Sequence, residues 1–300
     1  MRDTRLLQGL LLSRSDIDRA AHRRSDDEWL GEASSHDRSR MVIVSEGEVA
    51  ILRSDEGMQL ALHPVEPTGD LSFLGEAPDG TWYFASHVSR DDRPEADWAS
   101  LREAGELFDD REAGLAVTAI ALDNWHRTTR QCGECGDRLR TTQAGWAKKC
   151  DVDGSDHFPR TDPAVIMLPR DRSDRALLGR HVDWPEGRFS TFAGFVEAGE
   201  SAEAAVRREL QEESGIVVAD GDDDLIYLGS QPWPFPRSLM LGYHAWTDDP
   251  TIDLGADEIA EARWFTRESL QADIASGAVR LPPPISISRR LIERWLAESA

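Results

Sequence analysis

Apolar residues recur at strand-like spacing in some segments of the 300-residue chain and at helical spacing in others, and these segments divide the chain into three parts. Near the amino terminus, residues 41–44 and 49–52 are strand-like runs on either side of Glu46-Gly47-Glu48, a pattern that predicts a β-hairpin. Residues 81–85 predict a further strand. We interpret residues 1–125 as a β-rich accessory domain, in which we find no catalytic spacing of residues.

Helical periodicity follows from Glu112 to Arg127 and predicts a helix that leads into a cysteine cluster. We assign residues 126–160 to a small module around this cluster and residues 161–300 to a third part. Strands of the third part are predicted at residues 164–168, 176–178, 225–228, 239–246 and 264–265. Helices are predicted from Ser201 to Ser214, ended by Gly215, and from Ser286 onward. Such alternation predicts a mixed sheet flanked by helices, an α/β fold.

Composition narrows the classes of protein that the chain can be. No apolar run approaches the roughly 20 residues of a membrane-spanning helix, and the apolar run 6–12 is too short for a secretory signal, so we expect a cytoplasmic protein. The formal net charge is -22. A surface this acidic repels phosphate backbones, and Lys148 and Lys149 are the only lysines. The acidity is compatible with an ordinary solvated surface and with a high-salt host.

Three cysteines, Cys132, Cys135 and Cys150, have the spacing C-x2-C-x14-C. An odd, clustered set argues against a disulfide framework and predicts three corners of a structural zinc ribbon. Two residues are candidates for the fourth ligand. Asp153 completes a C-x2-D pair, and His157 is the chemically better zinc ligand if the turn brings it in. The alternative is a knuckle without metal.

Three glutamates, Glu209, Glu212 and Glu213, stand at i, i+3 and i+4 in the predicted helix 201–214. Their side chains therefore project from one helix face, where like charges repel unless cations lie between them. Hard oxygen ligands of this kind suit magnesium or manganese that carries substrate phosphates. The alternative is a solvated acidic helix face.

Residues 194–200, Gly-Phe-Val-Glu-Ala-Gly-Glu, and residues 208–216, Arg-Glu-Leu-Gln-Glu-Glu-Ser-Gly-Ile, match every fixed position of the Nudix box. The chain therefore resembles the Nudix hydrolases. The resemblance implies an α/β/α sandwich over residues 161–300, preceded by a zinc-ribbon-like module and a β-rich N-terminal domain. It also implies metal-dependent hydrolysis of a diphosphate.

The family pattern implies a role for each residue of the box. Glu209 and Glu213 are the leading metal ligands, and Glu212 is a further ligand or the base. Arg208 organises the site by ion pairing, with Glu200 as its expected partner. We therefore expect all five side chains in the catalytic site.

A proline-rich segment lies downstream of the box. Its prolines stiffen a loop that presents two aromatic rings, which can stack on a base or pack as a core plug. The segment resembles the S-Q-P-W-P-F-P-x-S signature of the NADH pyrophosphatase subfamily. The resemblance implies substrate contacts from Ser230, Gln231, Pro232, Trp233, Pro234, Phe235, Pro236, Arg237 and Ser238.

The same resemblance assigns further positions. Phe158 stands where the subfamily has an aromatic that meets the nucleobase, although a buried core phenylalanine is the alternative. Glu258 is expected to add a metal-binding carboxylate, with Glu261 as second choice. Ser288 falls where a substrate contact is expected. Asp153 takes the place of the last cysteine in the four-cysteine zinc site of the subfamily.

The sequence thus predicts a magnesium- or manganese-dependent enzyme that splits NADH, and also NAD, into nicotinamide mononucleotide and AMP. The resemblance further implies a structural zinc ion, a homodimer and removal of NAD caps from RNA, for which Lys148 and Lys149 are the only candidate anchor. Two alternatives stay open. One is a Nudix hydrolase for ADP-ribose or dinucleoside polyphosphates, and the other is a non-catalytic dinucleotide sensor.

Overall fold

The computed structural model describes residues 6–66, 71–254 and 258–298. The chain forms two compact units. We call residues 11–161 together with residues 232–237 the N-terminal unit. We call the remainder, residues up to 10, 162–231 and 238 onward, the C-terminal unit. The sequence analysis assigned residues 1–10 to the N-terminal part and residues 232–237 to the C-terminal part, whereas the units place each segment with the other part.

The larger sheet of the N-terminal unit contains seven strands among the described residues. They are β1 (Ser39–Ser45), β2 (Glu48–Ser54), β3 (Gly57–Leu60), β4 (Leu62–His63), β5 (Leu71–Glu76), β6 (Trp82–His87) and β7 (Asp97–Ser100). The strand order is β3-β2-β1-β6-β5, with β4 paired to β1 and β7 to β2. The predicted hairpin is confirmed as β1–β2, with Glu46 and Gly47 at positive φ in the turn. The predicted third strand is β6.

Three helices accompany this sheet: α1 (Asp27–Ser34), α2 (Leu101–Ala104) and α3 (Asp110–Thr128). The helix predicted from residues 112 to 127 is confirmed as α3. Asp109 caps it and forms a capping box with Glu112. Most of its residues between Ala113 and Trp125 are buried, because α3 packs against the sheet.

A small antiparallel sheet follows α3 and carries the cysteine cluster. It consists of β8 (Leu139–Thr142), β9 (Ala147–Cys150) and β10 (Asp156–His157), with β9 in the centre. The sequence indicated the metal-ligand spacing here but not these strands, which are short and carry few apolar residues.

The C-terminal unit is built on a six-stranded mixed sheet. Its strands are β11 (Asp162–Asp171), β12 (Ala176–His181), β13 (Phe192–Phe195), β14 (Leu225–Trp233), β15 (Ser238–Thr247) and β16 (Ile259–Phe265). The order is β14-β15-β11-β12-β16, with β13 paired to β11, and β11 runs parallel to β15. All five predicted strands are present, most of them longer than predicted.

Helices cover both faces of this sheet: α4 (Ala202–Ser214) on one face, and α5 (Arg267–Ser276) and α6 (Ile287–Ala297) on the other. Successive residues of β11 alternate between the two cores, as the strand period requires. Val165 and Met167 pack with α4, whereas Ile166 and Leu168 pack with α6. The predicted α/β/α sandwich is therefore confirmed. No helix of the described ranges is long and apolar enough to cross a membrane.

Candidate functional site

The local sequence determines where helix α4, which carries the three glutamates, begins and ends and which of its sides is buried. The Ser201 hydroxyl caps its first turn by accepting a hydrogen bond from the backbone N–H of Ala204, and Gly215 ends it with a φ of 71°. Ala205, Val206 and Leu210 are fully buried against the sheet. This buried stripe holds the opposite side of the helix, where the glutamates lie, in a defined orientation.

Arg208 joins the glutamates of this region. Its guanidinium donates to both carboxylate oxygens of Glu200 at 2.9 Å, and to Glu209 at 2.8 Å and Glu212 at 3.1 Å. It also donates to the carbonyl oxygen of Phe195 at 2.9 Å. The bidentate pair lowers the pKa of Glu200 to about 2, so this carboxylate stays charged. Arg208 thus orients the carboxylates of Glu200, Glu209 and Glu212.

Gly194 lies in strand β13, before the helix that carries the glutamates. The strand pairs Gly194 with Val165 of β11. A Cβ at Gly194 would overlap the carboxyl group of Glu209. The glycine therefore allows close approach between the strand and the Glu209 side chain.

Glu213 is crowded by other carboxylates. Burial is the largest cause that raises its pKa to about 8, and the negative charges of Glu209, Glu258 and Glu212 act in the same direction. Glu258 directly precedes β16, and its side chain belongs to this cluster. Several carboxylates that resist being ionised together favour a bound cation, since positive charge removes their repulsion.

These side chains line a cavity of about 400 Å³ between β13, α4 and the parallel strands β11 and β15. Arg208, Glu209, Glu213, Ser238 and Glu258 were singled out from the sequence and lie in its wall. Sequence reasoning missed several wall residues: Ala164, Ala193, Phe195, Glu197 and Met240. Strand alternation offered a signal for Met240, which follows Ser238 by two positions and so faces the same side.

Other predicted residues lie elsewhere. Glu212 does not line the cavity, and its side chain is 61% exposed beside Arg208. Glu261 pairs with Arg180 and Arg263 rather than facing the cavity. Glu261 lies inside β16, whereas Glu258 precedes the strand.

Ser288 corrects an expectation. Only 1% of this residue is exposed, and its hydroxyl accepts hydrogen bonds from the backbone N–H of Thr191 at 3.3 Å and from the Thr191 hydroxyl at 2.8 Å. The Ser190 hydroxyl is also 2.9 Å away. Ser288 therefore fastens the start of α6 to residues 190–191, and it does not face the cavity.

The proline-rich segment is divided between the two units. Gln231 is buried in the C-terminal unit and donates to the carbonyl oxygen of Ile285 at 2.9 Å. Ser230 is partly buried beside it, and Ser238 lines the cavity as described. Residues 232–237 belong to the N-terminal unit, where Pro234 is buried while Pro236 and Arg237 are exposed.

The two aromatic rings of this segment pack on each other, Trp233 and Phe235 having centroids 4.8 Å apart. The guanidinium of Arg102 lies 5.0 Å from the Trp233 ring and 4.2 Å from the Phe235 ring. Asn124 of α3 donates to the carbonyl oxygens of Pro234 at 3.0 Å and Pro236 at 2.8 Å. These contacts agree with the packing interpretation of the loop.

Phe158 has 47% of its surface exposed. The alternative of a buried core phenylalanine is therefore wrong. The side chain lies in the N-terminal unit, directly after β10.

Four side chains of the cysteine module converge, namely Cys132, Cys135, Cys150 and Asp153, with their ligand atoms within 4.8 Å of one another. The Cys135 and Cys150 sulfurs are 3.4 Å apart, and the Cys132 sulfur is 3.1 Å from Asp153 Oδ2. Zinc bonds of 2.0–2.3 Å in a tetrahedron separate ligands by roughly 3.3–3.8 Å. The donor set fits a structural zinc site.

Two matching turns explain why Asp153 and not His157 joins this cluster. Gly136 follows Cys135, and Gly154 follows Asp153, each with a φ of 77°. The backbone N–H of Gly136 donates to the carbonyl oxygen of Cys132 at 2.9 Å, and that of Gly154 donates to the carbonyl oxygen of Cys150 at 3.0 Å. Asp153 thus occupies the position equivalent to Cys135. His157 instead lies 3.0 Å from the Ser155 hydroxyl, which in turn donates to Asp153.

The two lysines near this module differ in their exposure. Lys148 is buried and donates to the carbonyl oxygens of His126 at 3.1 Å and Thr129 at 2.5 Å. Lys149 lies 3.9 Å from the Asp156 carboxylate. Lys148 is therefore not the exposed anchor for RNA that the sequence suggested, whereas the Lys149 side chain is 43% exposed and stays a candidate.

Comparison with known proteins adds an independent line of observation. Residues 160–283 match the NUDIX domain, and residues 9–125 match the NADH pyrophosphatase-like rudimentary NUDIX domain. The chain is 41% identical over 307 residues to a Mycobacterium bovis (strain BCG / Pasteur 1173P2) protein named NAD-capped RNA hydrolase NudC, covering 96% of this chain and 95% of that protein. A Pseudomonas aeruginosa (strain LESB58) protein of the same name is 40% identical over 200 residues, 67% of each chain. A solved NUDIX hydrolase from Nitrosomonas europaea is similar over 51% of this chain and 97% of its own, with a TM-score of 0.40 and 19% identity.

Proposed function

This chain belongs to the Nudix hydrolases, in one family with the NAD-capped RNA hydrolases named NudC, and on that premise we propose that it is a divalent-cation-dependent diphosphatase. Its substrates are NADH and NAD, which it hydrolyses to nicotinamide mononucleotide, reduced or oxidised, and AMP. The observation that carries the proposal is the convergence of Glu209, Glu213 and Glu258 on one cavity beside a matching Nudix box.

Glu209, Glu213 and Glu258 hold magnesium or manganese in this proposal. The fit is supported by the raised pKa of Glu213, because a buried carboxylate among like charges is satisfied by a cation. When bound, the cations polarise the diphosphate and activate a water molecule. Glu212 at the rim is the candidate for a further ligand or for the base.

The remaining residues of the box position these ligands. Arg208 neutralises part of the charge on Glu209 and Glu212, while its bidentate bond to Glu200 fixes its own orientation. Glu200 also accepts a hydrogen bond from the backbone N–H of Glu197 at 2.9 Å, which closes the loop before α4. Arg208 and Glu200 therefore act through the ligands rather than on the substrate.

We extend the proposal to RNA that carries a 5′ NAD cap, as the names of the relatives suggest. The bond cleaved in the cap is the same diphosphate as in free NAD. Phe158, exposed on the N-terminal unit, and the segment from Ser230 to Ser238 remain our candidates for contacts to the dinucleotide.

We also propose that residues 126–160 form a structural zinc module with Cys132, Cys135, Cys150 and Asp153 as ligands. The separations between the ligand atoms support a four-coordinate ion. Four protein ligands leave no position for substrate, so this zinc stabilises the fold instead of taking part in hydrolysis.

The family resemblance also underlies our proposal that the enzyme is a homodimer. Sedimentation equilibrium of the full chain at micromolar concentration tests it. A mass equal to one chain would contradict it.

The central experiment is product analysis of the purified full chain with magnesium or manganese. The panel consists of NADH, NAD, ADP-ribose and NAD-capped RNA, and Glu213→Gln is the inactive control. AMP from NADH with wild type, and none with the variant, is the expected result. Cleavage of ADP-ribose alone would keep the metal site but reject the dinucleotide substrate, and no cleavage at all would favour a dinucleotide sensor.

A further inference from the structure

A group of arginines on the N-terminal unit has no carboxylate partner among the described residues, although the whole chain has a formal net charge of -22. Arg19, Arg23 and Arg24 belong to one short segment, and none of them forms an ion pair with a carboxylate of the residues that the structure describes. Other arginines of the same unit are paired, as Arg53 is with Asp97 at 2.7 Å and Arg14 is with Asp110 at 3.4 Å.

These arginines stack on tryptophan rings instead. The guanidinium carbon of Arg24 lies 3.7 Å from the centroid of the Trp146 ring, and that of Arg19 lies 5.3 Å from it. Arg23 lies 4.8 Å from the centroid of Trp29. A ring face holds a guanidinium in place without neutralising its charge, so its N–H groups stay available to an anion.

Both tryptophans adjoin Phe73, which is fully buried. The indole N–H of Trp146 donates to the carbonyl oxygen of Phe73 at 2.7 Å, and the rings of Trp29 and Phe73 have centroids 5.3 Å apart. We call Arg19, Arg23, Arg24, Trp29 and Trp146 the arginine–tryptophan patch.

The backbone that presents this patch adopts unfavourable conformations. Ala20, between two of the arginines, has a φ of 40°, and Gln143 and Ala144, just before Trp146, have φ values of 50° and 46°. Residues other than glycine rarely adopt such angles, and they persist where the surrounding structure imposes them, often at ligand sites.

The electrostatics of the patch are also unfavourable without a ligand. Burial and the charge of Arg19 lower the pKa of Arg24 to about 10. The Nε atom of Arg24 is buried and has no hydrogen-bond partner among the described residues. An anion bound at the exposed Arg19 would relieve the repulsion between the two guanidinium groups.

We propose that the arginine–tryptophan patch binds the phosphodiester backbone of single-stranded RNA, the chain that continues from the NAD cap. The inference rests on the proposed function for its choice of RNA. Several guanidinium groups next to aromatic rings suit consecutive phosphates of a flexible chain better than one small anion. Since the protein as a whole is negatively charged and repels RNA, the patch also determines where the RNA chain lies.

Binding is measured by fluorescence anisotropy with the full chain, in metal-free buffer at low salt. The probe is single-stranded RNA of about ten nucleotides with a 5′ hydroxyl, which lacks the cap and is not hydrolysed. The double variant Arg19→Gln/Arg24→Gln should bind it about tenfold more weakly, with a salt dependence shallower by about 0.7 for each phosphate that is no longer neutralised. The matched control Arg53→Gln, which removes the same kind of charge from a paired position, should bind as wild type does.

Equal affinity of wild type and the double variant would overturn the proposal. If the double variant fails to fold by circular dichroism, Arg24→Lys decides, since it keeps the charge but loses the planar stack and should also weaken binding. Wild-type affinity in a folded Arg24→Lys protein would then reject the proposal. Displacement of the RNA by inorganic phosphate at an equal concentration of phosphate groups would assign the site to a free anion and would also reject it.

Kinetics separate this inference from the proposed function. The double variant should raise KM for NAD-capped RNA and leave KM for NADH unchanged, because NADH has no phosphodiester chain that the arginines could bind. An equal rise of KM for both substrates would contradict a role in holding the RNA chain. If wild type cleaves no dinucleotide, the proposed function fails. The comparison of RNA binding between wild type and the arginine variants in metal-free buffer still tests the patch in that case.

Discussion

The carboxyl group of Glu209 occupies the space that a side chain at Gly194 would fill. Glu209 lies on helix α4 and Gly194 on strand β13, so the fit between them sets where the Glu209 carboxylate stands. Because the φ of Gly194 is not in the left-handed region, the requirement for glycine comes from space and not from backbone conformation.

Gly194→Ala should therefore act on catalysis more than on stability. The added methyl group displaces the flexible end of Glu209, and a misplacement of about 1 Å at a catalytic group costs roughly a hundredfold in rate. We expect NADH hydrolysis to fall by about that factor with a nearly unchanged melting temperature. Gly31→Ala is the control, since its Cβ would meet no atom within 4 Å. Normal kinetics of Gly194→Ala would show that Glu209 tolerates displacement.

Glu213→Gln should stabilise the protein when metal is absent. The folded-state pKa of about 8 exceeds the usual 4.5, so between these pH values the folded chain binds more protons than the unfolded chain. The stability contributed by Glu213 is therefore lost as pH rises through this window. In EDTA, the variant should melt above wild type at pH 8, with the difference vanishing near pH 4.5. Glu212→Gln, at an exposed position, should not show this effect, and equal melting of Glu213→Gln and wild type at pH 8 would contradict the crowding of charges.

Asn124→Ala should impair substrate binding through the proline-rich loop. The variant leaves the carbonyl oxygens of Pro234 and Pro236 without their donor, at a cost of about 1–3 kcal/mol. We expect KM for NADH to rise about tenfold with little change in kcat. Thr128→Ala, one turn further along α3, removes a hydroxyl that bonds only helix carbonyls and serves as control. A loss in kcat alone would argue against a role in holding the loop.

Zinc content separates the two candidates for the fourth ligand. His157→Ala should retain about one zinc per chain by plasma mass spectrometry, whereas Cys135→Ser and Asp153→Ala should lose most of it and melt earlier, because metal binding contributes folding free energy. Asp153→Cys should hold zinc more tightly, since thiolate is the softer ligand. Zinc retained by Asp153→Ala but lost by His157→Ala would reverse the assignment.

Two histidines, His244 buried and His126 partly buried, should make the fold sensitive to acid. Burial is the largest cause that lowers the pKa of His244 to about 4 and of His126 to about 3, from the ordinary 6.5. Below pH 6.5 the unfolded chain therefore takes up protons that the folded chain does not, and stability falls as pH decreases toward 4. Urea unfolding followed by tryptophan fluorescence at pH 7 and 4.5 should show a smaller loss for His244→Gln than for wild type. His22→Gln, at an exposed position, should lose as much stability as wild type.

The sequence by itself determined the parts of the protein that depend on short-range geometry. The spacing of Glu209, Glu212 and Glu213 places them on one face of any helix, and Ser201 and Gly215 mark its ends. The same holds for the hairpin around Gly47 and for the cysteine knuckles. Backbone periodicity alone relates residues that lie within one or two turns, so these predictions needed no knowledge of packing.

Only the tertiary structure decided which distant residues meet. It brought Glu258 and not Glu261 to the cavity, buried Ser288, and set Gly194 against Glu209. It also engaged Lys148 internally. These outcomes follow from strand pairing and side-chain packing between segments far apart in the chain, which local periodicity does not encode. For the same reason the arginine–tryptophan patch is invisible in the sequence, since Arg24 and Trp146 become neighbours only when the N-terminal unit folds.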